Sequence, residues 1–514
     1  MSRTARVRQV EHTAIIVGAG FSGLGTAIRL RHAGITDFVI LERSDRVGGT
    51  WRDNTYPGAA CDVPSLLYSL SFARNPEWSE AFSRAEEIQA YVEGLVERFD
   101  LAAHLRFDQE VSGLAFDEPT GTWTATTARG DDHTARAVVA APGPLANASL
   151  PAMRGIDRYR GHKIHSARWD HSYDMAGKRV AVIGTGASAV QIIPELVGTA
   201  ERVKVFQRTP GWVMPRPNVR VPAVAKRLFR TVPVTQDAAR AGLFWTMETA
   251  ALGLVWDTPI TTALAAAGRA HLRAAVKDPW MRRQLTPDFR PGCKRTLTSS
   301  SYYRALQEPN CELVTWPIAT LSPDGVRTSD GIEHAVDCIV FATGFEVSHR
   351  AGFPFPVIGV DRRSLAKAWS PVPQAYKSVN IGGFPNLFLT FGPNSGPGHN
   401  SALVYVEAQI DYAVRAIKAI VDKDLRIYDV RPDAQERFNR DIQRRLKRTT
   451  WNSGCQSWYL TEDGFNAAMY PGFATQFRRQ MRRFHRTDYV LEPREQAAGV
   501  DAGGKRRRVP VGSA

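Results

Sequence analysis

TAIIVGAGFSGLGTAIRLRHAGITDFVILER, residues 13–43, and its echo KRVAVIGTGASAVQIIPELVGTAERVKVFQR, residues 178–208, decide the fold. Each reads as an apolar strand, a glycine-rich turn, a helix and a second apolar strand. Glycines at such a turn allow a close backbone approach, so that a pyrophosphate can rest on the helix N-terminus. Gly18, Gly20, Phe21, Ser22 and Gly23 are the candidate contacts in the first unit, and Gly184, Thr185, Gly186, Ala187 and Ser188 in the second. One glycine turn is a weak signal. Two, in matched strand-turn-helix context, predict an α/β chain with two Rossmann-like dinucleotide-binding domains.

The end of each second strand distinguishes the two nucleotides. Glu42 lies 24 residues after Gly18, and Arg208 lies 24 residues after Gly184, so equivalent positions carry opposite charges. A carboxylate suits a free ribose 2'-hydroxyl, whereas an arginine suits a 2'-phosphate. Such a charge-assisted contact contributes roughly 1.5–3 kcal/mol, about ten-fold to over a hundred-fold in preference. The first site is therefore expected to take FAD and the second NADPH.

Composition narrows the class. The 514 residues suffice for two or three domains, and 43% apolar with 23% charged residues describes an ordinary globular protein. No uninterrupted apolar stretch approaches the ~18 residues of a spanning helix. The longest candidate, residues 241–268, is broken by Glu248, Asp257 and Pro259. The first apolar run is the nucleotide strand itself rather than a leader, which points to a cytoplasmic protein without a membrane partner. The five cysteines, Cys61, Cys293, Cys311, Cys338 and Cys455, form no CxxC pair and no metal-ligand spacing. Neither a disulfide nor a metal site is expected from them, and a disulfide-reductase chemistry is excluded. The net charge of +15 is concentrated late, in RRQMRRFHR at 478–486 and KRRR at 505–508. The first run reads as a solvated helix face and the second as a disordered tail, so nucleic acid is not an expected partner.

Along the chain, a polar-aromatic loop, GGTWRDNTYPGAACDVPS, follows the first unit, and a helical region runs to about Phe99. Residues 110–141 alternate as strands and return to AVVAAPG; a similar pattern recurs at 311–346. The expected organisation is discontinuous: an FAD-binding domain from 1–150 and 346–492, an NADP-binding domain from 151–213 and 293–345, a helical insert at 214–292, and a disordered basic tail at 493–514. Oligomeric state leaves no signature.

YRGHKIHSARWD, residues 159–170, resembles the FxGxxxHxxxW(P/D) signature of Baeyer-Villiger monooxygenases. Gly161, His165, Trp169 and Asp170 match, and Tyr159 replaces the usual phenylalanine. GGTW at 48–51, YPGAACDVPS at 56–65, QRTP at 207–210, CKR at 293–295, ATGF at 342–345 and FPNLF at 384–388 look like further family blocks. APGPL at 141–145 departs from the commoner ATGPL, and GPNSGPGHNS with CDVPS resembles the 4-hydroxyacetophenone monooxygenase-like and flavin-containing monooxygenase-like subgroup.

The resemblance implies an NADPH- and O2-dependent flavoprotein that turns a ketone into an ester or lactone through a C4a-peroxyflavin. The alternative is S- or N-oxygenation. It implies Arg295 as the cation that favours the peroxyanion, held by Asp62, and Lys294 with Arg208 and Thr209 on the NADP 2'-phosphate. A unit charge ~4 Å away at a dielectric near 20 is worth about 4 kcal/mol, roughly three pKa units. Trp51 and Asp53 are expected along the flavin ring. Arg43, Gly49, Thr50, Tyr68, Gln191, Thr343 and Gly344 complete the implied cofactor contacts, with Asn394 ahead of a helix whose positive end faces the flavin. His165 is expected to position the NADP domain.

Overall fold

The computed structural model describes residues 10–346, 353–455, 457–461 and 463–494. Almost all of the tail expected at 493–514 lies outside them. Two sheets dominate, the first mixed and the second all parallel. In the first, Val357–Ile358, Val111–Asp117, Thr122–Thr127, Asp132–Ala140, His12–Val17, Phe38–Leu41 and Leu105–Arg106 lie in that order, and Leu387–Leu389 joins the far half of Asp132–Ala140. In the second, Cys311–Val314, Arg202–Phe206, Arg179–Ile183, Cys338–Phe341 and His162–His165 are all parallel. The central strands are buried on both faces, which is why they read as unbroken Val/Ile runs rather than alternating ones.

The two halves repeat one plan. An antiparallel meander, Val111–Ala140 in the first and Ile318–Ala335 in the second, leads back to a central strand beside each nucleotide turn. Gly18 (φ +101°) and Gly184 (φ +114°) sit where the turn touches that returning strand. A Cβ on Gly18 would lie 2.6 Å from the Ala141 carbonyl oxygen, and one on Gly184 2.5 Å from that of Ala342. Any side chain at either position would push the turn off the sheet, so both glycines are required by packing as well as by φ.

Between the halves stand four helices, Ala223–Thr231, Pro233–Leu254, Pro259–Ala275 and Pro279–Leu285. Three begin with proline, which needs no amide partner at the first helical position. Thr258 and Asp278 cap two of them by accepting backbone N–H bonds. Glu248 on the longest reaches into the first domain. Its carboxylate accepts the Ala474 and Thr475 amides (3.1 and 2.9 Å) and the Thr475 hydroxyl (2.6 Å), and pairs with His399 at 3.2 Å.

One expectation is corrected. Cys293 and Cys455 form a disulfide, with Cα atoms 6.2 Å apart and 162 residues between them in sequence. Cysteine spacing reports only pairs that are close along the chain, and this pair is made by the return of the last segment to the residues that directly follow the insert. Cys61, Cys311 and Cys338 are free thiols. No helix among the described residues is long and apolar enough to cross a membrane.

Candidate active site

The first nucleotide turn is fastened by Glu42. Its Oε2 accepts the Ala19 amide at 2.8 Å, and its Oε1 accepts the Ser44 amide at 3.1 Å and Arg52 Nη1 at 2.8 Å. A carboxylate has about four acceptor positions, so one on Oε2 is left for a ribose hydroxyl. Arg52, which sequence reading passed over, is buried against Glu42 and Asp53. Burial works against its charge, but the Asp53 hydrogen bond and both carboxylates hold its pKa above the ordinary arginine value. Its only sequence signal was its place beside Asp53 in GGTWRD. Arg43 donates to the Ala146 carbonyl (2.8 Å) and Asn147 Oδ1 (3.2 Å) and lies 3.8 Å from Asp53.

Gly49 and Thr50 open a one-turn helix, Thr50–Asp53, that presents Trp51. Trp51 Nε1 donates to the Tyr68 hydroxyl at 3.2 Å, and Tyr68 stands edge-on to both Trp51 and Phe21 at centroid distances of 5.5 Å. This aromatic wall leads to the charged centre. Arg295 donates to both oxygens of Asp62, Nε to Oδ2 at 3.0 Å and Nη2 to Oδ1 and Oδ2 at 2.8 and 2.7 Å. The Asp62 charge is the main reason the guanidinium is held above its usual pKa, outweighing desolvation. Arg295 nevertheless keeps 45% of its side-chain surface open, against 25% for Asp62. The pair therefore shows its cationic end. Burial pushes the Tyr459 phenol up to about 12 although Arg295 pulls it down, and the Cys61 thiol is likewise raised by burial and by Asp62. Tyr459 was not singled out individually by the sequence, because only the fold returns its loop to Arg295.

On the other side lies the second turn. Thr185 Oγ1 donates to the Thr209 carbonyl at 3.1 Å, placing the Gly184–Ser188 turn against the strand end that carries Arg208. Lys294 lies near Arg208; burial first, then repulsion from Arg208, lowers its ammonium pKa, with Asp288 opposing. Two cations that repel each other in this way suit a dianionic phosphate. Gln191, on the helix Ala189–Val197, links the halves: its Oε1 accepts the Tyr56 hydroxyl at 3.0 Å and its Nε2 donates to the Ala60 carbonyl at 2.9 Å.

The remaining expected residues are placed as follows. Thr343 Oγ1 donates to the Ser149 carbonyl at 2.8 Å, and the Ser149 amide donates to the Gly344 carbonyl at 3.0 Å, so these two fasten the crossing between halves. His165 is buried there; its Nδ1 accepts the Ala167 amide at 3.1 Å, and burial lowers its pKa. Asn394 Nδ2 donates to the Asn466 and Met469 carbonyls (2.8 and 3.1 Å), while its buried Oδ1 has no partner among the described residues. Ser401 caps the long helix Ala402–Asp422 by accepting the Leu403 amide at 3.2 Å.

Both sites fit dinucleotides. The packed turns, the remaining Glu42 acceptor position and the orphaned Asn394 oxygen suit a flavin nucleotide, and the Arg208–Lys294 pair suits a phosphorylated nicotinamide. Comparison with known proteins agrees. The family profile described as flavin-binding monooxygenase-like matches residues 11–221. A Baeyer-Villiger monooxygenase of Streptomyces coelicolor is 44% identical over 96% of this chain and 95% of its own length. Another, of Pseudomonas aeruginosa, is 42% identical over 95% and 94%. A steroid monooxygenase bound to NADP superposes with a TM-score of 0.84 at 30% identity, covering 94% of this chain and 99% of that one. A closed cyclohexanone monooxygenase does so with the same score at 27% identity, covering 94% and 100%. A chain that is 42–44% identical to two Baeyer-Villiger monooxygenases over nearly its whole length and theirs belongs to the Baeyer-Villiger branch of the flavin-binding monooxygenases, with FAD and NADPH as its cofactors.

Proposed function

We propose that this enzyme inserts one oxygen atom of O2 beside the carbonyl of a ketone, giving an ester or lactone and water, with NADPH consumed. The observation that carries the reading is the Asp62-anchored guanidinium of Arg295, open on one side and near enough to Tyr68 for its charge to act on that phenol. When bound, the flavin and the nicotinamide supply the electrons and the activation of oxygen.

The residues of the chain have three tasks in this reading. Glu42, Arg43, Asp53 and the Gly18–Gly23 turn hold the FAD. Arg208, Lys294, Thr209, Gln191 and the Gly184–Ser188 turn hold the NADPH. Arg295 keeps a fixed positive charge, which favours the deprotonated form of a reacting oxygen set against its open face and can donate to the oxyanion that nucleophilic attack on a carbonyl creates. Asp62 moderates this effect. A charge at ~4 Å contributes about 4 kcal/mol at a dielectric near 20, but a carboxylate roughly twice as far away cancels about half. The remainder, about 2 kcal/mol, is ~1.5 pKa units. An arginine suits the role because it does not lose its charge when enclosed.

The test is anaerobic reduction of the purified yellow protein by NADPH and by NADH, then admission of air with cyclic, aryl and linear ketones and a thioether. Faster bleaching by NADPH and at least one ketone converted to ester in step with NADPH use support the reading. Conversion of the thioether alone, or release of every reducing equivalent as hydrogen peroxide whatever the acceptor, overturns it.

A further inference from the structure

At the opposite end of the first sheet from the nucleotide turn, the fold brings a third metal-ligating side chain, distant in sequence, onto two consecutive ones. Glu11, His12 and His133 each bring one ligand atom to within 4.8 Å of the others. The grouping follows from strand register. His12 pairs with Ala135 across the parallel strands His12–Val17 and Asp132–Ala140. His133 precedes Ala135 by two residues and so shares the face of His12, because side chains alternate with period two. Glu11 is held beside them by its amide, which donates to Thr134 Oγ1 at 3.1 Å.

Two further observations make this more than proximity. The Asp37 carboxylate lies 3.1 Å from His12 Nδ1 and is itself fixed by the Thr13 amide at 2.9 Å. A carboxylate on one imidazole nitrogen orients the ring and leaves the other nitrogen free to ligate, the arrangement found behind metal-bound histidines. His133 Nε2 is buried and has no hydrogen-bond partner among the described residues. A buried ring nitrogen without a partner is costly unless something coordinates it.

We propose that Glu11, His12 and His133 bind a divalent transition-metal ion, zinc foremost, with water in a fourth position. Two imidazoles and one carboxylate suit zinc better than calcium or magnesium, which prefer all-oxygen shells. Ligand atoms around a tetrahedral zinc stand roughly 3.3 Å apart at bond lengths near 2.1 Å, a contraction within reach of side-chain rotation. The ion would clamp the entry of the first strand to the meander. It sits about one strand length, ~20 Å, from the nucleotide turn, so it has no part in oxygenation.

The experiment uses the full-length, FAD-loaded protein, stripped with a chelator and titrated with zinc chloride against a chromogenic zinc indicator. One equivalent should bind with micromolar or tighter affinity, and zinc should raise the melting temperature. His12→Ala and His133→Ala should each weaken binding at least ten-fold, Asp37→Asn by about ten-fold, and the double variant H12A/H133A should lose the zinc-dependent rise, with NADPH oxidation unchanged throughout. If a histidine variant fails to retain FAD, the exposed Glu11→Gln gives the same ten-fold test. Binding no tighter than about millimolar, or one tight equivalent undiminished in H12A/H133A or in Glu11→Gln, overturns the proposal; the latter would place zinc on other donors.

Discussion

Arg295 and Asp62 are 233 residues apart in the chain and share two hydrogen-bonded carboxylate oxygens in the fold. Removing the guanidinium leaves untouched the nucleotide contacts proposed for Glu42 and Arg208. Arg295→Ala is therefore expected to retain FAD and to be reduced by NADPH, while ester formation falls at least a hundred-fold and hydrogen peroxide rises to match NADPH use. Rapid-reaction reduction and product analysis on one preparation separate the two effects; full ester formation by this variant removes Arg295 from the chemistry. Asp62→Asn keeps the cation but loses its anchor, so a smaller, roughly ten-fold fall is expected. At the second site, Arg208→Ala should narrow the preference for NADPH over NADH by about ten- to a hundred-fold, read as the ratio of kcat/KM values. A preference left intact would give the 2'-phosphate to Lys294 alone.

At the scale of elements, the insert helix Pro233–Leu254 and the nine-residue helix Ala474–Arg482 are joined by one carboxylate. Burial of Glu248 opposes its charge, but the hydrogen bonds from His399, the Thr475 hydroxyl and the Thr475 amide prevail and hold its carboxyl at about 2. The folded value is depressed, so the stabilisation is complete above the ordinary carboxylate pKa and is lost as pH falls from about 4.5 towards 2. It amounts to about 3 kcal/mol. Glu248→Gln should thus lower the melting temperature at pH 7 and flatten the acid limb of stability between those pH values; an unchanged acid limb would show that the carboxylate is not coupled to folding. This contact was hidden in the sequence, where Glu248 registered only as a break in an apolar stretch and His399 had no role. The local signals were legible. Glycine, alternation and run length located the strand-turn-helix units, because those patterns report each segment's own burial and φ. The partners of Glu248, Arg52 and Tyr459 were not, because they depend on which segments the fold brings back together.

On the scale of the molecule, specific links near the charged centre hold the halves together, and these define how rigidly it is kept. Gln191 fastens the second-domain helix to the Tyr56–Ala60 loop. The disulfide ties Cys293, two residues before Arg295, to the loop that delivers Tyr459. Both segments also meet the end of the long insert helix, where Thr450 Oγ1 donates to the Leu254 carbonyl at 2.5 Å. Sequence could not reveal this bond, since an odd cysteine count and wide spacing are equally compatible with five free thiols. Thiol titration decides between them: of the five cysteines, three should react in denaturant without reductant and five after reduction. A cross-link closing so long a loop restricts the unfolded chain, so Cys455→Ser should cost about 2–5 kcal/mol and lower the melting temperature. Because the bond joins the segments that carry Arg295 and Tyr459, which feel each other's charge, the same variant should release more hydrogen peroxide per NADPH while FAD binding stays intact. Five reactive thiols before reduction, or a variant as stable and as well coupled as the parent, would mean that packing around Leu254 alone holds the two segments in register.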